Sequence, residues 1–533
     1  MKHVFPGSPA GLDPYTGDWD TPQVAHLLKR TLFGATIQDV SHFKSLSMSQ
    51  AVDELLQSTP VPATRPLNNY GADPTGVASF LTWVGTGLLY QDDDMNTNRL
   101  RSLQAWWIGQ MLNCGRSIHE KMTLFWHNHF AMNALNHLDD IPCELWYNQY
   151  LTLRKYALGD VRAMVKAITL DPAMLIFLTG STNTKTAPNE NYGRELQELY
   201  TIGKGPGSQY LEADVRNAAR ALTGHTVDLQ FNYLFQAGDH DDTNKEFSGF
   251  YNTNIITGYS GAAGAGEVDR LLDMLFSTQE SAKFLCRKLY NFFVYYKTDD
   301  TIEANVITPM AAILRKNYNI TEALSALFKS QHFYDLVNSG ACIIKSPLDL
   351  LIGLCREYQV AIPTDNAGQY NAWTMLSERA SELQQEIMVI ELVAGWDAYR
   401  EAPQYHELWI NSVTYSQRNF YTDLLIGVGD MKDGTTLKID AVGFASRLPA
   451  PQDPNRLIAD SLDILLRPPL SDSSVTLLKQ SILLGGLTND MYWTNAWLDY
   501  LANPNDMAAY AVVDTKLRTL YKYLMNLPEY HLS

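Results

Sequence analysis

Helix start and stop signals recur along most of the 533-residue chain. Thr21–Pro22 is typical of an N-cap followed by proline in the first turn of a helix. Asp160 and Asp171 are expected to cap two later helices. Alternating apolar and polar residues near 227–252 indicate a small β-hairpin with its turn close to Gly238. The sequence therefore predicts a mainly α fold, a multi-helix globular array with one small hairpin insertion.

The length of the chain favours more than one packed region. We divide it into an N-terminal helical region, 1–80, a central helical region, 81–300, which carries the predicted site, and a C-terminal helical region, 301–533. Since no clean linker separates them, we expect the three regions to form one compact unit. No repeat of 20–50 residues is present, which argues against a solenoid.

The net charge and the composition argue against some classes of binding partner. The net charge of −17 argues against a nucleic-acid backbone or an anionic membrane surface. No run approaches the roughly 18 apolar residues of a membrane span. The N-terminus lacks the apolar segment of a signal peptide, so we expect a cytoplasmic protein from the sequence as it stands. The five cysteines include no CxxC pair and are expected to be reduced.

The stretch NENYGRELQELYTIG, 189–203, is predicted to be a helix of about three to four turns ended by Gly203. One face of this helix carries three carboxylates and a guanidinium: Glu190, Arg194, Glu195 and Glu198. If that face is functional, these groups point into one cleft. The same spacing is typical of a solvated face with i,i+4 ion pairs, and this alternative stays open.

The block LFWHNHF, 124–130, contains the most conspicuous histidines, His127 and His129. On a strand, the two side chains would share a face and could bind one metal ion. On a helix, they lie about 200° apart and cannot. The spacing of Ser117 and Glu120 resembles a capping box and favours a helix. Either the helix ends near Trp126, or only one histidine faces the site; alternatively, one is a core residue and the other a surface residue.

Two later segments add charged residues. Arg216 and Arg220 share a face of a predicted helix and could meet the carboxylates of the preceding helix, as a structural network or as an anion-binding floor. His240 and Asp241 lie in a predicted turn, where they are candidate metal ligands or acid/base groups. The same residue types are also ordinary in turns. Arg30, by contrast, is expected to be a surface or capping cation.

Seven blocks follow in order along the chain: HLLKRTLFGAT (26–36), EKMTLFWHNHF (120–130), NENYGRELQELYTIG (189–203), EADVRNAARALTGH (212–225), HDDTNKEFSGF (240–250), FLCRKLYNFFV (284–294) and WINSVTYSQRNF (409–420). Together they resemble a large bacterial family, the domain-of-unknown-function family 1800. The resemblance implies a mainly helical protein, often exported, and often a neighbour of an alkaline-phosphatase-like or sulfatase-like partner. It implies no established activity. This chain departs from the pattern in showing no visible export signal and in having His225 where Trp or Tyr is expected.

The first functional hypothesis is a metal-dependent hydrolase acting on a small molecule or a glycan. Its catalytic residues would be Glu190, Arg194, Glu195, Glu198 and Arg220. One divalent ion of open identity would be bound by His127, His129, His240 and Asp241. Such an ion lowers the pKa of a bound water. The lack of a Glu-x-x-His pair argues against a di-iron oxidase.

Two alternatives stay open. A metal-free glycoside-cleaving enzyme would place two carboxylates of the central helix on either side of the glycosidic bond. A non-enzymatic helical scaffold or binding protein would use the acids, arginines and histidines as a buried polar network. The scaffold hypothesis predicts that Glu195→Gln destabilises the protein, whereas the enzyme hypotheses predict a folded and inactive variant.

Overall fold

The computed structural model describes residues 11–89, 91–339 and 342–533, with the side chains of all of these except 336–339. The first ten residues of the predicted N-terminal region therefore lie outside the described residues. Helices cover most of the first third of the chain: α1 (Thr21–Thr31), α2 (Ile37–Lys44), α3 (Met48–Leu55), α4 (Asp93–Leu112), α5 (His119–His129), α6 (Cys143–Tyr156), α7 (Val161–Thr169) and α8 (Pro172–Phe177).

The middle of the chain is also helical, and two of its helices pass into π-helical turns. The helices are α9 (Glu190–Glu195), α10 (Glu212–Ala221), α11 (Glu267–Ser277), α12 (Gln279–Phe293), α13 (Asp300–Ile302), α14 (Thr308–Leu314), α15 (Ile320–Phe328) and α16 (Gln331–Ser339). The π turns are Leu196–Thr201, directly after α9, and Glu303–Ile307, between α13 and α14.

The last third continues the array with a further π turn at Leu478–Leu483. Its helices are α17 (Pro347–Glu357), α18 (Asn366–Glu382), α19 (Ser412–Ile426), α20 (Ala441–Ser446), α21 (Pro454–Leu465), α22 (Asp472–Leu477), α23 (Met491–Ala502) and α24 (Met507–Met525). The predicted mainly α fold class is confirmed. None of the described helices is long and apolar enough to cross a membrane.

Short strands form three antiparallel pairs within the described residues. The pairs are β1 (His225–Val227) with β2 (Tyr233–Phe235), β3 (Lys245–Glu246) with β4 (Ile255–Ile256), and β5 (Asp430–Lys432) with β6 (Thr435–Leu437). The first two pairs lie at the predicted hairpin insertion.

The turn of the first hairpin lies between β1 and β2 rather than near Gly238. The Asp228 side chain accepts hydrogen bonds from the backbone N–H groups of Gln230 and Asn232, at 2.8 and 2.9 Å. This side chain closes the turn as aspartate commonly does. Gly238 instead lies in a 3₁₀ turn, Ala237–Asp239.

Two predicted helix caps are confirmed. The Asp160 side chain accepts from the backbone N–H of Ala163 at 3.0 Å, and the Asp171 side chain accepts from that of Met174 at 3.1 Å. Each bond satisfies one of the N–H groups that a helix start leaves without an intrahelical partner.

The predicted capping box at Ser117 is wrong. Helix α5 begins two residues later, and its N-cap residue, Ile118, makes no side-chain cap. Glu120 is buried and accepts a hydrogen bond from Nε of Arg154 at 2.6 Å. A buried carboxylate gains more from a guanidinium than from a backbone N–H, because the opposite charge compensates its lost hydration.

Helix α1 is enclosed on all sides over its C-terminal half. Every residue from Val24 to Thr31 is buried, and the helix packs against α2, α16 and α21. The turn that follows packs directly on α17. At Gly34, φ is +71°, and a Cβ atom there would lie 2.6 Å from Cα of Gly353. Only glycine fits such an approach, so the end of α1 is held against α17.

Apolar side chains from every part of the chain join one hydrophobic core. Examples are Leu27, Trp107, Tyr200, Leu351 and Trp497, each of them buried. Packing of this extent supplies the main favourable term of folding. The three regions suggested by the sequence therefore share apolar contacts, while their boundaries stay a prediction.

Candidate functional site

The central helix keeps its predicted position but changes its pitch midway. After α9, the backbone follows a π turn, in which the N–H of Ile202 bonds the carbonyl of Gln197, five residues earlier, at 2.9 Å. Gly203 ends the helix with φ +86°, as predicted. A π turn re-aims the side chains on either side of it and is frequent at functional sites.

Most of the acidic face is a surface ion-pair network. The Arg194 guanidinium lies 3.1 Å from Glu190, 3.8 Å from Glu198 and 3.0 Å from Glu212 on α10. About 33 % of the Arg194 side chain is exposed. Glu198 also contacts Lys204. Exposed pairs of this kind contribute about 0–1 kcal/mol each, so the solvated-face interpretation describes Glu190 and Arg194.

Glu195 differs from the other acids of the face. It lies where the regular helix passes into the π turn, and its carboxyl has no hydrogen-bond partner among the described residues. Burial raises its pKa, and the neighbouring Glu198 carboxylate raises it further. A carboxyl group in this state is suited to donate a proton.

His127 points away from the central helix. Its Nε2 atom accepts a hydrogen bond from the backbone N–H of Met388 at 2.9 Å, so the ring proton lies on Nδ1. The ring packs edge-on against Trp107, with 5.1 Å between centroids. Burial lowers its pKa to about 3. The one lone pair of this neutral imidazole is used inside the core, which leaves none for a metal ion.

His129 does reach the central helix, on its buried side. Its Nε2 atom lies 3.1 Å from the carbonyl oxygen of Tyr200, and its Nδ1 atom lies 3.1 Å from Nζ of Lys288 on α12. Because a carbonyl only accepts, Nε2 carries the proton and Nδ1 accepts from Lys288. Both histidines lie within α5 and face different neighbours, as the helical alternative predicted.

His240 belongs to a third, fully buried network. Its Nδ1 atom lies 2.8 Å from the carbonyl oxygen of Thr223, and its Nε2 atom lies 3.0 Å from Oε1 of Glu267. The other oxygen of Glu267 lies 2.5 Å from Nζ of Lys245, and both of these side chains are 0 % exposed. This network fixes β3 against α11.

Asp241 and Arg220 form a fourth network that holds a loop. The Asp241 carboxylate accepts from Nε of Arg220 at 2.7 Å and from the backbone N–H of Thr243 at 2.9 Å. Burial alone would raise the pKa of Asp241, but the hydrogen bonds from Arg220 and Thr243 outweigh it and lower the pKa to about 2. Arg220 therefore serves this loop and does not join the acidic face of the central helix.

The four predicted metal ligands thus do not converge on one point, although the contacts of His240 and Asp241 are linked through Thr223. Among residues 11–89, 91–339 and 342–533, no group of three or more His, Cys, Asp or Glu side chains is arranged to bind a metal ion. The predicted convergence of His127, His129, His240 and Asp241 is therefore not what the geometry shows. The reason is local: each side chain satisfies its hydrogen bonds with its own neighbours.

A different charged group faces a pocket. Arg30, near the C-terminal end of α1, is only 2 % exposed. Its Nε, Nη1 and Nη2 atoms are buried and have no hydrogen-bond partner within the described residues. The expectation of a surface or capping cation is wrong, because the end of α1 has no solvent-facing side. Burial, the largest cause, lowers the pKa of Arg30 to about 10, which leaves it charged at neutral pH.

The pocket in front of Arg30, named here the Arg30 pocket, lies between α1, α5, α12, α17 and the segment 396–409. It is narrow, with a cavity volume of about 20 Å³, which is room for about one water molecule. The other charged side chains that line it are already paired. Lys29 lies 2.6 Å from Glu357, and Lys121 contacts Asp349.

Two further polar groups of the Arg30 pocket are unsatisfied. The Nδ1 atom of His406 accepts from the backbone N–H of Ile344 at 3.1 Å, so the proton lies on Nε2, which has no partner among the residues described. Burial lowers the pKa of His406 to about 4, so the ring is neutral. The side-chain oxygen of Asn291 is likewise buried without a partner in the described structure.

Little in the sequence points to this site. Arg30 stands beside Lys29 in the last turn of a helix, where basic residues are ordinary because the helix dipole favours them. One signal was present in the sequence: most positions of VAHLLKRTLF, 24–33, carry apolar side chains. A helix without a clear polar face is expected to be buried.

The fold and the site together define a mainly helical protein with an unpaired guanidinium facing a narrow pocket. The family model described as Protein of unknown function (DUF1800) matches residues 26–532, so the chain belongs to this family. The resemblance drawn from the sequence blocks is thereby confirmed. No curated protein and no solved structure matches the chain.

Proposed function

We propose that this protein binds a small organic anion in the Arg30 pocket, as a ligand or a substrate. The observation that carries the proposal is the buried guanidinium of Arg30, which lacks a partner among the described residues. A buried charge without a partner costs several kcal/mol. A ligand oxyanion would remove that cost by accepting two parallel hydrogen bonds from the guanidinium.

One other group of the pocket, His406, suits the same ligand. The N–H at Nε2 of His406 is a neutral donor, which an oxyanion can accept from without disturbing a charge. Lys29 and Lys121 already have carboxylate partners, so Arg30 is the cationic side chain of the pocket that is left to bind a ligand. One negative charge on the ligand balances the charge of Arg30.

The walls of the pocket favour an apolar or aromatic ligand body. The aromatic side chains that line it are Phe292, Tyr296, Tyr399, Tyr405 and Trp409. Flat rings of this kind supply contact area at low conformational cost. A ligand such as an aryl or alkyl carboxylate, or an aryl phosphate, combines a head group for Arg30 with a body for these walls. The walls must move apart to admit it, because the cavity as it stands holds about one water molecule.

The test is a thermal unfolding series with benzoate, phenyl phosphate, inorganic phosphate and chloride at constant ionic strength. We expect a saturable rise in the unfolding temperature with benzoate or phenyl phosphate and no saturable rise with chloride. Ligand at one hundred times its Kd stabilises a protein by about 2.7 kcal/mol. The two aryl ligands distinguish a carboxylate from a phosphate head group.

Arg30→Met removes the charge and keeps an unbranched apolar side chain, so it should abolish the saturable rise. Arg101→Met is the matched control, because Arg101 is an exposed arginine on α4 and should leave the rise unchanged. A rise of equal size in the Arg30 variant would contradict the proposal.

Hydrolysis is the second candidate function, and Glu195 is the observation in its favour. The raised pKa and the position at the start of a π turn suit a general acid. The metal-dependent form predicted from the sequence stays a prediction, as do its divalent ion and its glycan or small-molecule substrate.

The stability of Glu195→Gln as a function of pH tests this candidate. A carboxyl whose pKa is raised in the folded state costs stability once it is ionised. The variant should therefore match or exceed the wild type at neutral pH, and the difference should vanish as pH falls below the ordinary pKa of glutamate. A clear loss of stability at neutral pH would favour the scaffold hypothesis instead.

A further inference from the structure

A second cavity, larger than the Arg30 pocket, lies beside the first hairpin and is named here the hairpin groove. Its cavity volume is about 430 Å³, and it opens to solvent. Pockets that bind small molecules typically measure about 300–1,000 Å³, so this groove has room for a ligand without a change of its walls. It is lined by parts of the loop 85–88, the first turns of α6, the start of α8 and the hairpin turn 230–233. None of these described residues also lines the Arg30 pocket.

Hydrogen bonds hold three walls of the hairpin groove in place. Nη1 of Arg99 donates to the carbonyl oxygen of Gly87 at 3.1 Å, from behind the loop. At the start of α6, the backbone N–H of Cys143 donates to the side-chain oxygen of Asn96 at 3.2 Å. The Asp228 side chain closes the hairpin turn. The groove is therefore pre-formed, and a ligand does not have to order its walls on binding.

The charged side chains that line the hairpin groove are both acidic. Glu144 lies in the first turn of α6, and Asp171 is the N-cap residue of α8. Among the described residues that line the groove there is no Lys, Arg or His. Arg99, behind the loop wall, is already paired with Asp73 at 3.0 Å. The groove therefore carries negative charge that no cation of its own lining compensates, and such a cleft attracts positively charged ligands.

Asp171 is the more buried of the two acids and is 7 % exposed. Burial, the largest cause, raises its pKa to about 7, and hydrogen bonds from the backbone N–H groups of Met174 and Ala173 offset only part of the rise. A positive charge close to the carboxyl group would favour its ionised form. The same attraction would stabilise a bound cation.

Aromatic rings form the hairpin side of the groove. Phe231 and Tyr233 both line it, and 38 % of Tyr233 is exposed. The Tyr233 ring is held in place by a hydrogen bond of 2.8 Å between its hydroxyl group and Nδ1 of His225. The faces of such rings attract organic ammonium ions, because the ring quadrupole is negative there. The rings and the carboxylates therefore favour the same class of ligand.

We propose that the hairpin groove binds a small organic cation, an ammonium group attached to an apolar or aromatic body. The ammonium group is placed near Glu144 and Asp171, and the body packs against Phe231 and Tyr233. A neutral molecule of similar size lacks the charge interaction and binds more weakly. The proposal is independent of the anion proposed for the Arg30 pocket.

The experiment is a ligand-observed saturation-transfer NMR titration of the whole wild-type protein with benzyltrimethylammonium and, separately, benzyl alcohol at constant ionic strength. The pH is set about one unit above the pKa of Asp171, so that both carboxylates are ionised. We expect benzyltrimethylammonium to bind saturably with a Kd of about 1 mM or lower. Benzyl alcohol should bind about fivefold or more weakly. Equal affinities, or no saturable binding of the cation, would overturn the proposal.

Two variants locate the binding site, and each removes one negative charge. Glu144→Gln and Asp171→Asn should each raise the Kd of benzyltrimethylammonium about threefold or more, and asparagine still caps the helix. Glu322→Gln is the matched control, because Glu322 is an exposed glutamate in the first turn of α15, and it should leave the Kd unchanged. If the groove variants bind the cation as tightly as the control does, the groove is not the site. Arg30→Met should bind it like the wild type, so this test and the benzoate test fail separately.

Discussion

Two arginines of this molecule, Arg194 and Arg30, lie in opposite surroundings. Arg194 lies on the acidic face of the central helix, is about 33 % exposed and lies within 4 Å of three glutamates. Arg30 lies behind its pocket, is 2 % exposed and has no partner among the described residues. The acidic face around Arg194 is the conspicuous charged feature of the sequence, yet Arg30 is the arginine whose guanidinium has no partner among the described residues.

The comparison shows where a functional charge is to be sought. A solvated network satisfies itself, and each of its pairs is worth little to stability. A buried, unpaired cation lowers stability, and a protein retains such a group mainly where it serves a function. Lys245 is an intermediate case: it is buried like Arg30, but its amino group pairs with the Glu267 carboxylate. The three cations therefore predict three different effects of the same substitution.

The largest effect is expected for Lys245→Met. This change leaves the Glu267 carboxylate buried without its cation, and removing one partner of a buried pair costs about 3–5 kcal/mol. Urea unfolding should show this loss in the free energy of unfolding at neutral pH. The loss should shrink in acid, because Glu267 then becomes protonated and needs no partner.

Lys166→Met is the matched control for Lys245. Lys166 pairs with an acidic side chain, as Lys245 does; its partner is Asp269 at 2.8 Å, but 38 % of the Lys166 side chain is exposed. Its loss should cost less than about 1 kcal/mol. Similar losses in the two variants would mean that burial does not determine the value of these pairs.

The next effect has the opposite sign. Arg30→Met removes a buried charge that has no partner, so without ligand it should raise the free energy of unfolding by about 1–3 kcal/mol. The same urea experiment measures it, and Arg101→Met should stay within about 0.5 kcal/mol of the wild type. A destabilised Arg30 variant would show that the arginine is structural and would remove the main support for anion binding.

The sequence was sufficient for the fold class because helix signals act locally. Asp160 and Asp171 cap the helices that their spacing predicts, and Gly203 ends the central helix. The error at Ser117 has a tertiary cause, since Glu120 is drawn to Arg154 on α6, far along the chain. Rules based on neighbouring residues in the sequence cannot predict a contact between two helices.

The candidate site was harder to predict because it depends on Arg30 having no hydrogen-bond partner among the described residues. A sequence shows that Arg30 is basic, but not that α2, α16 and α21 enclose its helix and leave it without a partner. The histidine pair shows the reverse case. Helical spacing predicted that His127 and His129 would face different neighbours, and they do. What spacing could not supply was the contact between His129 and Lys288, which lies 159 positions further along the sequence.

The smallest effect is expected for Arg194→Met, which tests whether the acidic face is a weakly coupled surface network. The variant breaks the exposed contacts with Glu190 and Glu212, whereas Glu198 retains Lys204. We expect a loss of less than about 1 kcal/mol at low salt. The loss should shrink further as added salt screens the three glutamates from one another. A loss above about 2 kcal/mol that persists in high salt would mean that the acidic face is a strongly coupled network. Arg194 and Arg30 would then no longer differ in kind, and the central helix would regain its place as the leading candidate site.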